Sequence, residues 1–303
     1  MNIAVVGAGA IGGWLAARLA LVGNRVMALT SRGLIDAIEI SEGGRTETAT
    51  CHAFDGPADV LIIAVKATAL ADAVTRARSL VGPDTSVLPM LNGVPWWFTD
   101  QPLRSIDRDG AIARAIPADR IVGAVVHASC SRPGPGQVSV NHVDRLIVGE
   151  PAGGSSDRVE RLCALFGTAG IRCEASDDVR RAIWYKLWGN ATINPLSALT
   201  RATCDRILAD PESRAWMLAG MAELAAVGAA VGCTIEESGE DRMAVTARLG
   251  AFKTSMLQDV EAGRPIELEA LLGAPREIAR RHGIETPALD RLYALTKLLA
   301  DSL

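Results

Sequence analysis

The sequence predicts an α/β protein: residues 1–177 form a doubly wound, mostly parallel sheet, and residues 178–303 form an all-helical domain. Three observations carry this. Short β-branched runs alternate with helical patterns over the first half, as they do where parallel strands are covered by helices on both faces. The chain opens with a strand, a glycine-rich turn and a helix in immediate succession. Beyond about residue 177 the strand signals fade and long amphipathic periodicities take over. At 303 residues the chain is longer than one hydrophobic core usually serves, which agrees with two domains.

The elements follow in order. Residues 2–7 read as a buried strand, Gly7-Ala8-Gly9-Ala10-Ile11-Gly12 as the turn, and residues 13–22 as a helix with Trp14, Leu15, Leu19 and Val22 at helical spacing. Residues 25–30 form a second strand, completing a βαβ unit. Further strands are expected at 59–66, 86–91 and 120–128, with a helix at 69–81. Residues 131–149 read as an antiparallel addition to the sheet: a Pro133-Gly134-Pro135-Gly136 turn, then strands at 137–140 and 146–148 around a second turn. A helix at 159–169 closes the domain. In the second domain, helices are expected at 179–194, 213–231, 243–262, 268–282 and 287–300, while 198–210 has no clear pattern. The cleft between the domains is the expected ligand site.

Composition narrows the function. Net charge is −4 and no run of Lys and Arg forms a stripe, so neither nucleic acid nor a membrane surface is an expected partner. The six cysteines include no C-x-x-C pair, so no metal site and no disulfide framework are expected. Reduced thiols in a cytoplasmic protein are the simple reading. The apolar stretch 3–22 lacks a basic leader, holds four glycines and is interrupted by Arg18, so it is read as fold and not as a signal segment.

A lone G-x-G-x-x-G is a weak signal. Here it directly follows a strand and opens a helix, the context that dinucleotide binding requires. Gly7 permits the tight turn, Gly9 lets the backbone approach a pyrophosphate, and Gly12 lets helix pack on strand. The free N–H groups of the helix start, at Ala8, Ala10 and Ile11 with the glycines, favour phosphate. The end of the second strand selects the dinucleotide. It reads Leu29-Thr30-Ser31-Arg32-Gly33, with no carboxylate before Asp36. An acid there would hold the ribose hydroxyls of NAD, whereas Arg32 suits a 2′-phosphate, with Thr30 or Ser31 donating. NADPH is therefore expected over NADH. Lys66 and Asn92-Gly93 end later strands, where ligands of such sheets bind, although each alone reads more readily as an ordinary turn or helix-start residue.

Lys186, Asn190 and Asn194 recur every four residues and share one helix face. Ile183, Trp184, Leu187, Trp188 and Ile193 surround them. On pattern alone this is either a functional line or a solvated stripe between core faces. Ser255-Met256-Leu257-Gln258-Asp259 and Glu267 form a last cluster, for which helix capping is an equal reading.

Taken together these residues resemble the ketopantoate reductases, the 2-dehydropantoate 2-reductase family. The resemblance runs from Gly7 to Tyr293 and includes the glycine loop, Arg32, Val65-Lys66, Asn92-Gly93, His127, the Lys186–Asn190–Asn194 spacing, the Ser255 to Glu267 spacing, Gly283-Ile284 and Thr286-Pro287. It implies a Rossmann-type N-terminal domain joined to a helical domain like that of 6-phosphogluconate dehydrogenase. It implies that NADPH delivers hydride to the C2 carbonyl of 2-dehydropantoate, giving pantoate for pantothenate and coenzyme A synthesis. Lys186 would then be the proton donor. Asn190, Asn194 and Ser255 would hold the carboxylate and hydroxyl of the substrate, a small 2-oxo acid, and Asn92 would lie near both nicotinamide and substrate. Lys66 and Glu267 would contact cofactor or substrate near the reacting carbon. A homodimer through the helical domain is expected. Trp96-Trp97, Cys204 and Leu272 depart from the family pattern and place the exact substrate in question. A reductase of another 2-oxo acid and a non-catalytic NADPH-sensing protein are the competing readings. An intact Lys186 speaks against the second.

Overall fold

The computed structural model describes residues 1–248 and 250–303. The chain divides into two compact units, one of Met1–Leu91 with Gly110–Ala182, the other of Asn92–Asp109 with Ile183–Leu303.

The first unit runs β1 (Asn2–Val6), α1 (Ala10–Leu21), β2 (Arg25–Thr30), β3 (Gly33–Ile35), β4 (Ala37–Glu42), β5 (Arg45–Thr50), β6 (Val60–Ile63), α2 (Leu70–Ala77), β7 (Ser86–Pro89), α3 (Ala111–Ala115), β8 (Gly123–Ser131), β9 (Gln137–Gly149), α4 (Asp157–Thr168) and β10 (Cys173–Ala175). Its first sheet has the order β3-β2-β1-β6-β7. All neighbours are parallel except β3, a short antiparallel edge on β2. Ile3–Val6 and β6 are buried along their whole length, as apolar strands covered on both faces must be.

A second sheet, β10-β9-β4-β5 with β8 on β9, was not separable in the sequence. The strand expected at 120–128 is β8 of this sheet, linked to the first by a single bridge from Val87 to Ile121. The two strands expected at 137–140 and 146–148 are one continuous β9, which pairs parallel with β4 and β10 and antiparallel with β8. Register shifts beside His127 and Ser129 keep that long pairing in step. β4 and β5 had no sequence signal: β5 is Arg-Thr-Glu-Thr-Ala-Thr with only Ala49 buried. Helix α1 packs against strands of both sheets, which is why it is buried nearly all round. Two glycines make that possible. A Cβ on Gly12 would meet Gly7 O and Ala64 Cβ on one side, and a Cβ on Gly13 would lie 2.7 Å from Val138 Cγ2 on the other.

The second unit carries most of α5 (Val179–Thr200), then α6 (Cys204–Ala209), α7 (Pro211–Ala230), α8 (Gly239–Ala247), α9 (Ser255–Glu261), α10 (Ala274–Arg281) and α11 (Pro287–Ala300). α5 continues through Pro195 to Thr200, beyond the expected end at 194. The helix expected at 243–262 is broken between α8 and α9. Gly250 adopts φ +64°, and Thr254 starts a new helix by accepting from Leu257 N–H at 3.1 Å. A π-helical turn, Glu269–Gly273, leads into α10. Glu223 of α7 caps α11, accepting from the N–H groups of Ala288 and Leu289 at 2.8 and 2.9 Å.

Residues Asn92–Asp109 pack with the helices, although the expected division at 177 assigns them to the first domain. Glu277 of α10 accepts from Arg104 N–H, Ser105 N–H and Ser105 Oγ at 3.0, 2.9 and 2.8 Å. Phe98 stacks on Trp184 with centroids 5.6 Å apart. Among the described residues, no helix is long and apolar enough to cross a membrane, and no group of three or more His, Cys, Asp and Glu is gathered as for a metal.

Candidate active site

The candidate residues fall into two groups, one in each unit. In the first unit the glycine loop joins β1 to α1. Gly7 has φ +97°, and a Cβ there would lie 2.6 Å from both Ala64 O and Val65 Cγ1. Gly7 and Gly12 are thus required by the protein's own packing. Gly9 is not: the nearest atom to its would-be Cβ is Gly7 O, 3.9 Å away. Its small size leaves space outside the fold. The α1 N-terminus has no side-chain cap and no acid in its first turn, so its N–H groups and positive dipole end face that space unneutralised. These residues fit a dinucleotide pyrophosphate.

At the end of β2, Thr30 Oγ1 donates to Gly33 O at 3.0 Å and accepts from Arg32 N–H at 3.2 Å. The Thr30 hydroxyl proton is therefore spent on the turn, and a ligand is left the exposed Arg32 side chain. Arg76 of α2 reaches the same loop, its Nη1 3.5 Å from Ser31 O. Two guanidinium groups and no carboxylate thus stand at 29–33. Sequence reasoning missed Arg76 because it lies 45 residues beyond Ser31, past β3, β4, β5 and β6, on an exposed helix face that reads as solvated. Lys66 follows β6, half-buried, in extended conformation at φ −69°, ψ 153°.

In the second unit, α5 presents two faces. Trp184 Nε1 donates to Leu224 O at 3.0 Å and Trp188 Nε1 to Met221 O at 2.7 Å, so two indoles lock α5 onto α7. Helical geometry then turns Lys186, Asn190 and Asn194 to the other side. Asn194 is only 5 % exposed, and Lys186 and Asn190 are half-buried. The stripe is therefore not a solvated line. Asn190 Nδ2 donates to Asn92 Oδ1 at 3.1 Å, tying Asn92 to the stripe. Gly93 makes this approach possible at φ +103°: any Cβ there would lie 2.5 Å from Ala270 O, the atom that accepts from Val94 N–H at 2.9 Å.

Desolvation pulls the Lys186 ammonium down from the ordinary lysine value to about 8, partly opposed by the negative charge of Glu267. Glu267 thus acts on Lys186 electrostatically, within the same unit. Ser255, the first residue of α9, is exposed. The departures from the family pattern resolve in two ways. Leu272, Cys204, Trp96 and Phe98 are core residues, 0–4 % exposed. Trp97 is half-buried, and its enclosed indole N–H has no acceptor among the described residues.

The family model described as Ketopantoate reductase PanE/ApbA matches residues 3–153, and its C-terminal counterpart, Ketopantoate reductase PanE/ApbA C terminal, matches residues 178–300. The chain belongs to the ketopantoate reductase family. As a ketopantoate reductase family member it is an oxidoreductase. It is 37 % identical to the 2-dehydropantoate 2-reductase of Mesorhizobium japonicum over 99 % of this chain and 98 % of that one. Its fold matches a putative ketopantoate reductase from Ralstonia solanacearum with TM-score 0.94 and 47 % identity, covering 99 % of this chain and 98 % of that one. The 2-dehydropantoate 2-reductase of Methylococcus capsulatus matches with TM-score 0.84 and 32 % identity, covering 99 % and 96 %. A D-mandelate dehydrogenase at 22 % identity and TM-score 0.87 shares the fold.

Proposed function

We propose that the protein reduces 2-dehydropantoate to pantoate with NADPH. The observation that carries this reading is the half-buried Lys186 ammonium, set in one line with Asn190 and Asn194 and joined through Asn190 to Asn92. Reduction of a ketone builds negative charge on its oxygen, and a fixed donor of matched acidity stabilises that charge and then supplies the proton. At about 8, Lys186 is mostly protonated at neutral pH yet gives up its proton readily.

A bound NADPH supplies the hydride that becomes the new C2–H bond. The chain's residues do the rest. The glycine loop at Gly7, Ala8, Gly9, Ala10, Ile11 and Gly12 holds the pyrophosphate, and Arg32 holds the 2′-phosphate. Lys66 and Glu267 contact the cofactor. Asn92, Asn190, Asn194 and Ser255 orient the oxo acid, and Lys186 Nζ transfers its proton to the carbonyl oxygen as the C=O π bond becomes O–H. Homodimerisation of the helical unit, read by light scattering, and a cytoplasmic location belong to the same proposal.

The test is oxidation of NADPH and of NADH in the presence of 2-dehydropantoate and a panel of other 2-oxo acids, compared as kcat/KM. Preference for 2-dehydropantoate with NADPH is expected. Turnover of a different oxo acid would favour the second reading, a reductase of altered specificity. The unsatisfied Trp97 indole N–H supports that second reading, because a donor enclosed without an acceptor is one a ligand can complete.

A further inference from the structure

Resting on the reading of the protein as a 2-oxo acid reductase, we infer that Arg242 of α8 is the cation that recognises the substrate's carboxylate. The neutral groups proposed to hold the oxo acid, the amides of Asn190 and Asn194 on the stripe and the Ser255 hydroxyl of α9, offer an anion hydrogen bonds but no charge. Lys186 is committed to the carbonyl oxygen. A carboxylate bound against it would favour its charged form and make it a poorer acid. A separate cation beside the stripe resolves this conflict.

Arg242 packs against α5 at Gly189, on the Lys186 flank of the stripe. Among the described residues its buried Nε has no acceptor, and its Nη1 donates to Thr246 Oγ1 at 3.4 Å. Among the described residues no carboxylate pairs with it. Structural arginines are rarely left so, because an enclosed guanidinium without its acceptors is destabilising. The guanidinium lies against α5 at Gly189, where a Cβ would come 2.6 Å from Nη2, 2.9 Å from Cζ and 3.0 Å from Nε. Glycine inside a helix is itself unfavourable, and here it opens the seat the guanidinium occupies. By helical geometry Gly189 projects about 60° from Lys186 around the α5 axis, and about 100° from Asn190, so it flanks the Lys186 edge of the stripe. Tyr185, next to Lys186 in sequence, supports the guanidinium from below, its ring centroid 5.3 Å from Cζ. Tyr185 is itself held by donating its hydroxyl to Glu237 Oε2 at 2.7 Å. A seated, permanently charged fork with an unpaired Nε–H, on the Lys186 flank of the stripe, suits a carboxylate and not a neutral group.

The experiment compares wild type with Arg242→Gln and Arg242→Lys, using the oxo acid that wild type turns over best and the neutral methyl ester of the same acid. Arg242→Gln should raise KM for the acid roughly 10- to 100-fold, the range for losing charge-assisted bonds. KM for NADPH should stay unchanged, and kcat/KM for the ester should stay within about twofold, since the ester never used the charge. Arg242→Lys should recover part of the acid's affinity. Equal loss on acid and ester, or no loss on either, overturns the assignment and leaves Arg242 as packing. Should Arg242→Gln not fold, wild-type enzyme labelled with 15N-arginine serves instead. An Nε–H resonance that Arg242→Lys removes should shift on binding the hydroxy-acid product, and an unmoved resonance refutes the inference. Failure of wild type to reduce any 2-oxo acid overturns the underlying reading and this inference with it; normal wild-type turnover with an indifferent Arg242→Gln overturns this inference alone.

Discussion

The acidity of Lys186 makes a quantitative prediction. With its ammonium lowered to about 8, roughly nine in ten molecules carry the Lys186 proton at pH 7 and roughly one in ten at pH 9. The kcat/KM for the oxo acid, which reports the enzyme without substrate, should therefore fall through a single limb centred near pH 8, well below an ordinary lysine. Glu267 is the group that opposes the shift, so Glu267→Gln should drive the limb to lower pH, each unit of displacement costing about tenfold in rate on the alkaline side. At pH 6 the loss should be small. Lys186→Ala should lose about 10²–10⁴ in kcat while still binding NADPH. The assay is oxidation of NADPH against pH from 6 to 10, with fluorescence titration of the cofactor as the binding control. A second readout checks the same number. The folded protein holds this proton less tightly than the unfolded chain, so unfolding free energy should rise with pH between about 8 and 10.5, a rise that Lys186→Met abolishes. A flat rate profile, an alkaline limb indifferent to Glu267→Gln, or an active Lys186→Ala enzyme would refute the assignment.

Further outcomes follow from the packing. Gly12→Ala forces a methyl into Gly7 O and Ala64 Cβ and should destabilise the protein by about 1–3 kcal/mol in chemical denaturation. Gly9→Ala should keep native stability, since its Cβ meets nothing closer than 3.9 Å, yet weaken NADPH binding measured by calorimetry. Arg32→Ala and Arg76→Ala should each raise KM for NADPH about tenfold or more and leave KM for NADH unchanged; equal effects on both cofactors would remove the 2′-phosphate from the argument. Glu277→Ala releases the backbone at Arg104 and Ser105 and should cost about 2–4 kcal/mol. Burial raises the Glu277 pKa, but the hydrogen bonds from Ser105, Arg104 and Arg281 outweigh it and the net pKa is lowered. Its contribution should therefore hold at neutral pH and vanish as pH falls below the ordinary carboxylate range, which parallel acid titrations of wild type and variant would show.

Much of this molecule was legible as sequence. β1 and β2 were read within a residue, and α1 begins three residues before its expected start, because a buried parallel strand and a tight glycine turn each demand particular residues at fixed spacing, whereas the turn's last residues are already helical. The four-residue spacing of Lys186, Asn190 and Asn194 is a property of the helix alone. What the pattern left open was whether that stripe is wet or buried. Trp184 and Trp188 decide it by bonding to α7, since the rotation of a helix is set by what it packs on. Tertiary structure likewise made one strand of residues 137–149 and carried the segment after Leu91 onto the helices, because sheet membership depends on partners far away in the chain. Arg76 at the Arg32 loop and Arg242 in the Gly189 seat belong to the same class. An arginine's meaning comes from what its charge finally faces, and no local periodicity encodes that.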